Sequence, residues 1–189
     1  MSRLSALILA AGASRRFGQT DKLAAEYQGK PLLFWVMDSL KAFDFHEIIV
    51  VIRPDQILPD MGVSIPYQCV IIDKADHGMG QSIATGIGAL KPCDGAFIVL
   101  GDMPLVPPSI YGQLAQHMER GDIIRPRFQH RPGHPVLFAA KTFDDLRRLS
   151  GDDGAKDVIN HGGFKPYFVE SPDRGLYFDI DRPEDINRL

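Results

Sequence analysis

The chain has 189 residues, 44% apolar and 24% charged, the proportions of an ordinary globular protein long enough to bury a core without disulfides or a structural metal. Its 21 basic and 24 acidic residues leave a formal charge of -3, which excludes holding nucleic acid by general charge but not a local cationic pocket. Cys69 and Cys93 stand in no CxxC or zinc-like cluster and are expected as reduced thiols filling apolar space in a cytoplasmic protein, and no run approaches the roughly 20 apolar residues of a membrane span.

In chain order, short apolar runs alternate with stretches of helical spacing. Residues 4–10 (LSALILA) predict a first buried strand rather than a signal peptide, because a cationic loop follows where a cleavage site would stand. Leu32, Leu33, Val36, Met37, Leu40 and Phe43 then repeat at helical spacing behind Pro31, which suits a first helical turn. Residues 47–52 (EIIVVI) and 68–72 (QCVII) predict two more buried strands, and Ile83, Ile87 and Leu90 a helix after Gly80. Residues 95–100 (GAFIVL) predict a strand, and Ile110, Leu114 and Met118 a helix behind Pro107 and Pro108. The second half is less regular: a strand at 134–140 (HPVLFAA), a helix at 141–149, a loop entering a helix over 151–161, late strands at 164–170 and 175–180, and a final helix from Pro183. Continuous rather than alternating apolar runs belong to strands covered on both faces. The expectation is an α/β fold: one domain over 1–189, with a mostly parallel sheet and helices on both faces. Residues 1–105 would serve mainly a nucleotide and 106–189 mainly an acceptor.

Five stretches carry chemistry. The loop after the first strand, LAAGASRRFGQTDK, presents Arg15, Arg16 and Lys22, with small residues that let main-chain N–H groups meet an anion or a base edge. It is neither a Walker A loop nor GxGxxG, and GMGQSI at 78–83 also fails the latter pattern. A tight turn with solvated charges is the alternative. VLGDMPLVPP (99–108) puts Asp102 at the carboxyl end of a strand, as a Mg²⁺ ligand or as a turn aspartate before Pro104. In FDIDRPED (178–185), Asp179 and Asp181 alternate along a predicted strand, so one of them would face a shared metal. Asp181 could instead cap the last helix, with Glu184 three residues on. In GMGQSIATGIGAL (78–90), Gly78 and Gly80 suit close approach and Ser82 a helix-start donor, while Gly86 and Gly88 suggest close packing, on a neighbouring loop for instance. RFQHRPGHPVLF (127–138) offers Arg127, His130, Arg131 and His134 as a cationic wall for a second anionic substrate, or as a solvated loop; zinc is discounted, since no Cys or carboxylate joins at ligand spacing. With no GxSxG and no Ser/His/Asp set, the constellation of cations, backbone donors and carboxylates fits phosphoryl or nucleotidyl transfer.

Together these stretches resemble the nucleotidyltransferase family that includes molybdenum cofactor cytidylyltransferase and guanylyltransferase. The family opening LAAGxSxRMGxxK is matched by Leu9–Lys22 with Phe17 for Met; GMGxS by residues 78–82; GDMP by 101–104; GHPVLF by 133–138; GDxGA by 151–155; and DxDTPED by DIDRPED with Arg182 for Thr. The series covers nearly the whole chain. LAAG alone opens many sugar-phosphate nucleotidyltransferases, whereas the four motifs LAAG, GMGxS, GDMP and GHPVLF in order resemble the cytidylyltransferase branch. The resemblance implies a nucleotide-diphospho-sugar transferase-like, Rossmann-like fold. It implies that the backbone of Leu9, Ala10, Ala11 and Gly12 and the loop of Gly78, Gly80 and Ser82 hold base and ribose. Arg16 and Lys22 would grip the triphosphate, and Lys22, Arg16 and Asp102 would be catalytic. Asp102 and Asp181 would bind Mg²⁺, and His134, Gly151 and Asp153 would line the acceptor side. The implied reaction joins CMP from CTP to the terminal phosphate of the molybdopterin cofactor and releases pyrophosphate, without a general base. CTP, the molybdopterin cofactor and a recipient apo-molybdoenzyme are the implied partners, with neither nucleic acid nor membrane. Three alternatives stand beside it. One is the same fold with another base or acceptor, as a guanylyl- or sugar-phosphate nucleotidyltransferase. Another is a non-catalytic cofactor carrier, against which Lys22, Asp102 and Asp181 speak. The last is a dinucleotide oxidoreductase, which the missing GxGxxG disfavours.

Overall fold

The first apolar run becomes the middle of a sheet. The computed structural model describes residues 2–12, 17, 21–59, 62, 64–72, 78–152 and 154–187. Its elements in chain order begin with β1 (Leu4–Leu9), a short hairpin of β2 (Glu26–Tyr27) and β3 (Lys30–Pro31), α1 (Leu32–Leu40), β4 (Ile48–Ile52) and β5 (Gln68–Ile71). Then come α2 (Gly78–Ala89), β6 (Gly95–Leu100), α3 (Ile110–Ala115), β7 (Ile123–Phe128), β8 (Arg131–Pro132) and β9 (Val136–Ala139). The chain finishes with α4 (Phe143–Leu146), α5 (Lys156–His161), β10 (Pro166–Glu170) and α6 (Pro183–Ile186). The sheet order is β10-β7-β9-β6-β1-β4-β5, with β8 paired to β7. β1 lies parallel between β4 and β6; β9 alone on this path runs against its neighbours. The carboxyl ends of β1, β4, β6 and β7 therefore share one edge.

Alternation sorts the central strands into two cores. Ala6, Ile8, Val50, Phe97 and Val99 face α1 and α3, where they meet Leu33, Met37 and Tyr111. Leu7, Ile49, Val51, Ala96 and Ile98 face α2, α4 and α5, where they meet Ile83, Ile87, Leu146 and Val158. The α/β expectation, with helices on both faces, is met. Among the described residues no helix is long and apolar enough to cross a membrane.

Four expectations change. QCVII is an edge strand whose residues are mostly exposed, Cys69 among them, so that thiol fills no core; Cys93 is half-buried. The 141–149 helix is cut to a 3₁₀ turn at Ala140–Thr142 and the four residues of α4. Residues 175–180 form no strand. Asp173 accepts from the Gly175 N–H at 2.7 Å and starts a 3₁₀ turn over Arg174–Tyr177, which buries Leu176 fully in the α1–α3 core. Finally β7, with sequence IIRPRF, is a strand the apolar pattern does not announce, because arginines and a proline interrupt it.

Candidate active site

The edge at which β1 and β6 end is where the cations and carboxylates meet. The Gly101 N–H donates to Leu9 O at 3.1 Å, so the chain leaves β6 beside the exit of β1. Asp102 follows at once. Asp21 closes the opening loop: its carboxylate accepts from the Leu23 N–H at 3.0 Å and caps the turn Lys22–Ala24. Leu23 anchors that turn in the core, against Gly101. With its neighbour fixed, Lys22 donates from Nζ to Asp102 Oδ2 at 2.6 Å and lies 3.7 Å from Asp181 Oδ1.

Asp181 arrives from the far end of the chain. The Ile180 N–H donates to Asp102 O at 3.0 Å, and Ile180 is fully buried, so the last segment is stitched to the edge of β6. Asp181 is not the helix cap. Asp185 accepts from the Arg182 N–H at 2.9 Å and the Asp181 N–H at 3.1 Å, and Arg182 is the cap residue of α6. That leaves the Asp181 carboxylate to face Lys22. Because 178–180 is not a strand, the two aspartates do not take strictly opposite sides: Asp181 reaches Lys22, and the charge of Asp179 is felt at Asp102. Burial pushes the Asp102 carboxyl up, Lys22 pulls against that, and Asp179 adds to it. Two carboxylates around one ammonium hold a cation between hard oxygen donors, the donor set a divalent ion of the Mg²⁺ class takes. Among the described residues no group of three or more His, Cys, Asp or Glu could hold a metal.

On the other face of the sheet, Gly78 opens α2 with φ of +75° and has no room for a Cβ, which would strike Gly151 and Asp152. A Cβ on Gly80 would lie 2.7 Å from Ser150 O, and the Gly80 N–H donates to Gly151 O at 2.8 Å. Residues 78–80 are thus the first turn of α2 rather than the loop the sequence predicts, and Gly151 sits on that turn, with the residues expected to hold base and ribose. Ser82 is buried within α2. Arg15, Arg16 and Asp153 lie outside the described residues.

His134 lies just before β9 on the same edge, but it is no cation. Burial and the Arg125 guanidinium push its pKa down to about 4. Arg125, which no motif singled out, donates from both Nε and Nη2 to Gly133 O at 3.3 Å. Its only sequence signal is a charge inside an otherwise apolar Ile-Ile run. Arg127 is engaged by Glu170 at 2.7 Å. Arg131 and Arg174 face space on this side. With Phe128, Gln129, Tyr177 and Phe178 they line a cavity of about 370 Å³, and Arg131 lies 5.6 Å above the Tyr177 ring.

Set against known proteins, residues 6–166 match the family described as the MobA-like NTP transferase domain. A probable molybdenum cofactor guanylyltransferase of Thermococcus kodakarensis is 33% identical, over 96% of this chain and 92% of its own length. The nicotine blue oxidoreductase of Paenarthrobacter nicotinovorans is 24% identical over 98% of this chain and 96% of its own. Among solved structures, Rv0371c of Mycobacterium tuberculosis superposes with a TM-score of 0.84 at 22% identity, covering 99% of this chain and 97% of that one. A manganese complex of the same mycobacterial protein gives 0.77 at 22% identity, covering 100% and 98%. The fold is that of the nucleotide-diphospho-sugar transferases.

Proposed function

The chain belongs to the MobA-like NTP transferase family, and from that premise we propose that it transfers CMP from CTP to the terminal phosphate of the molybdopterin cofactor. An acceptor phosphate oxygen forms the new bond to the α-phosphorus, the bond from that phosphorus to the bridging oxygen breaks, and pyrophosphate leaves with the electron pair. The attacking oxygen is already anionic, so no base has to remove a proton. The observation that carries this reading is the Lys22 ammonium held by Asp102 at 2.6 Å and facing Asp181 at 3.7 Å. Asp102 and Asp181 are the oxygen donors that would hold Mg²⁺, which when bound neutralises charge on phosphate oxygens. The manganese complex of the mycobacterial neighbour supports a divalent ion in this fold. Lys22 then serves the triphosphate, together with Arg16, while the Leu9–Gly12 backbone and the start of α2 at Gly78–Ser82 take base and ribose. The cavity between Phe128, Arg131, Arg174 and Tyr177 supports an aromatic, phosphate-bearing acceptor, with His134 behind it as a neutral group.

Guanylyl transfer is the second reading, favoured by the relative from Thermococcus kodakarensis. A relative named for an oxidoreductase aligns over nearly the whole of this chain and of its own length. A lysine between two carboxylates suits a triphosphate with a divalent ion, which hydride transfer does not call for, and this favours the transferase. The deciding experiment measures pyrophosphate release and calorimetric binding with CTP, GTP and ATP, each with Mg²⁺. CTP preference supports the first reading and GTP preference the second; binding of none removes both. Lys22→Ala should lose on the order of 2–4 kcal/mol of transition-state stabilisation. Asp102→Asn should abolish turnover with the fold intact, and an unchanged rate in either variant would take that residue out of the site.

A further inference from the structure

The opening loop is held from outside by two residues that no motif includes. β4 ends at Ile52, and the next residues turn tightly: the Gln56 N–H donates to Arg53 O at 3.2 Å, while the Arg53 N–H donates to Gln56 Oε1 at 3.1 Å. That second bond fixes the Gln56 amide, whose Nε2 donates to Ala10 O at 3.0 Å and to Asp21 Oδ2 at 2.8 Å. Only one orientation of this amide meets an N–H with its oxygen and two acceptors with its nitrogen. The residue is 8% exposed, and its bond to Ala10 O lies out of water. Arg53 works beside it, with Nη1 donating to Gly12 O and Nη2 to Asp21 Oδ2 at 3.2 Å. The two residues therefore grip the loop at its exit, Ala10 and Gly12, and at its return, Asp21, whose other oxygen caps the turn that carries Lys22.

We propose that Arg53 and Gln56 are positioning residues for nucleotide selection. The proposal rests on the nucleotide-binding role given above to the Leu9–Gly12 backbone. A peptide group is planar and trans, so its C=O and its N–H point in opposite directions. With Ala10 O turned to Gln56, the Ala11 N–H is turned away from the β4 loop. The ladder claims the Ala10 N–H, which donates to Val51 O at 3.0 Å, so the clamp takes over where the sheet stops. Backbone donors read a base only in a fixed orientation. The clamp supplies that orientation and at the same time sets the distance from the base-reading peptide to Lys22.

The test is calorimetric binding of CTP, GTP and ATP with Mg²⁺ to the wild type and to Gln56→Ala, Gln56→Glu and Arg53→Lys, with melting temperatures and kcat and KM beside it. Gln56→Glu puts a carboxylate against a carbonyl and against Asp21. It should weaken the preferred nucleotide by about tenfold or more, the scale of a hydrogen bond to a charged group. The ratio between nucleotides should narrow with it. Gln56→Ala should fall between, and in all three variants KM should move more than kcat. Arg53→Lys keeps the charge but cannot reach Gly12 O and Asp21 together, so it carries the same expectation should Gln56→Glu not fold. Wild-type affinity and discrimination in folded variants would overturn the clamp and leave the nucleotide site standing. So would equal losses for all three nucleotides in step with melting temperature, which is a structural role only. Absence of any nucleotide binding by the wild type would instead overturn the reading on which the clamp rests.

Discussion

His134 shows how burial decides what a residue contributes. In RFQHRPGHPVLF it is one of four candidate cations; in the fold, burial and the Arg125 guanidinium hold its pKa at about 4. Its Nδ1 is buried with no hydrogen-bond partner among the described residues, and its N–H on the main chain donates to Leu176 O at 3.0 Å. A neutral imidazole in the folded chain and one that takes a proton near pH 6.5 in the unfolded chain make stability depend on pH. Between the two values the unfolded state binds more protons, so stability rises with pH and is lost as pH falls from about 6.5 towards 4. The loss attributable to this residue is on the order of 2–3 kcal/mol at the acid end. His134→Gln should flatten that part of the curve, measured as urea midpoints from pH 4 to 7; parallel curves for variant and wild type would refute the assignment. That His134 stands at the entrance to a strand is legible in GHPVLF. Its charge state is not, because Arg125 and the enclosing core come from a strand that the apolar pattern does not reveal.

Among the elements, α2 sets two physical terms against each other at neighbouring glycines. By helix propensity, Gly→Ala gains about 0.5–1 kcal/mol at either position. A Cβ on Gly88 meets nothing within 4 Å among the described residues, so that gain should be realised in full. A Cβ on Gly86 would overlap the Leu7 side chain and lie 2.9 Å from Val51 Cγ2, at the seam between the helix and the two central strands. Overpacking of this kind costs about 1–3 kcal/mol, and it wins over propensity. Gly88→Ala should therefore raise the melting temperature and Gly86→Ala lower it; a tolerated Gly86→Ala would mean that α2 can lift off the sheet without penalty. The glycines are visible in GMGQSIATGIGAL as a sign of close packing. What they meet is not: Gly86 packs on Leu7 and Val51 of the central strands and Gly78 and Gly80 on residues 150–152, while Gly88 meets none of the described residues. Continuous apolar runs such as LSALIL, IIVVI and GAFIVL identify strands well, because burial on both faces leaves that mark. The run QCVI also reads as a strand but ends the sheet, and β7 lies inside the sheet with two arginines in it.

At the scale of the molecule, the site is assembled from residues that only the topology brings together. Lys22 follows β1, Asp102 follows β6, and Asp181 arrives after the last strand, tied in by the bond from the Ile180 N–H to Asp102 O. A pairing of strands 1 and 4 of the predicted series is enough to expect Asp102 beside the opening loop. The antiparallel β9, and the return that lays β7 and β10 alongside, need long-range pairings that no local pattern encodes. The same topology orders local stability. β1, β4 and β6 pair on both sides and are covered on both faces, whereas β5 and β10 each have one paired edge and carry exposed residues. Opening a central strand requires breaking both cores, while an edge strand opens without uncovering much apolar surface. Hydrogen exchange should therefore be slowest at Leu7–Leu9, Val50–Val51 and Phe97–Val99, with opening energies near that of global unfolding. Exchange should be faster in Gln68–Ile71 and Tyr167–Glu170. Adding nucleotide with Mg²⁺ should raise protection most around Lys22–Ala24, at the start of α2 and at Ile180, because a ligand that binds only the folded edge stabilises whatever must be closed to form it. Protection rising equally over the whole sheet, edges included, would mean that the chain opens as one unit, and that the carboxyl edge is not the part whose order depends on ligand.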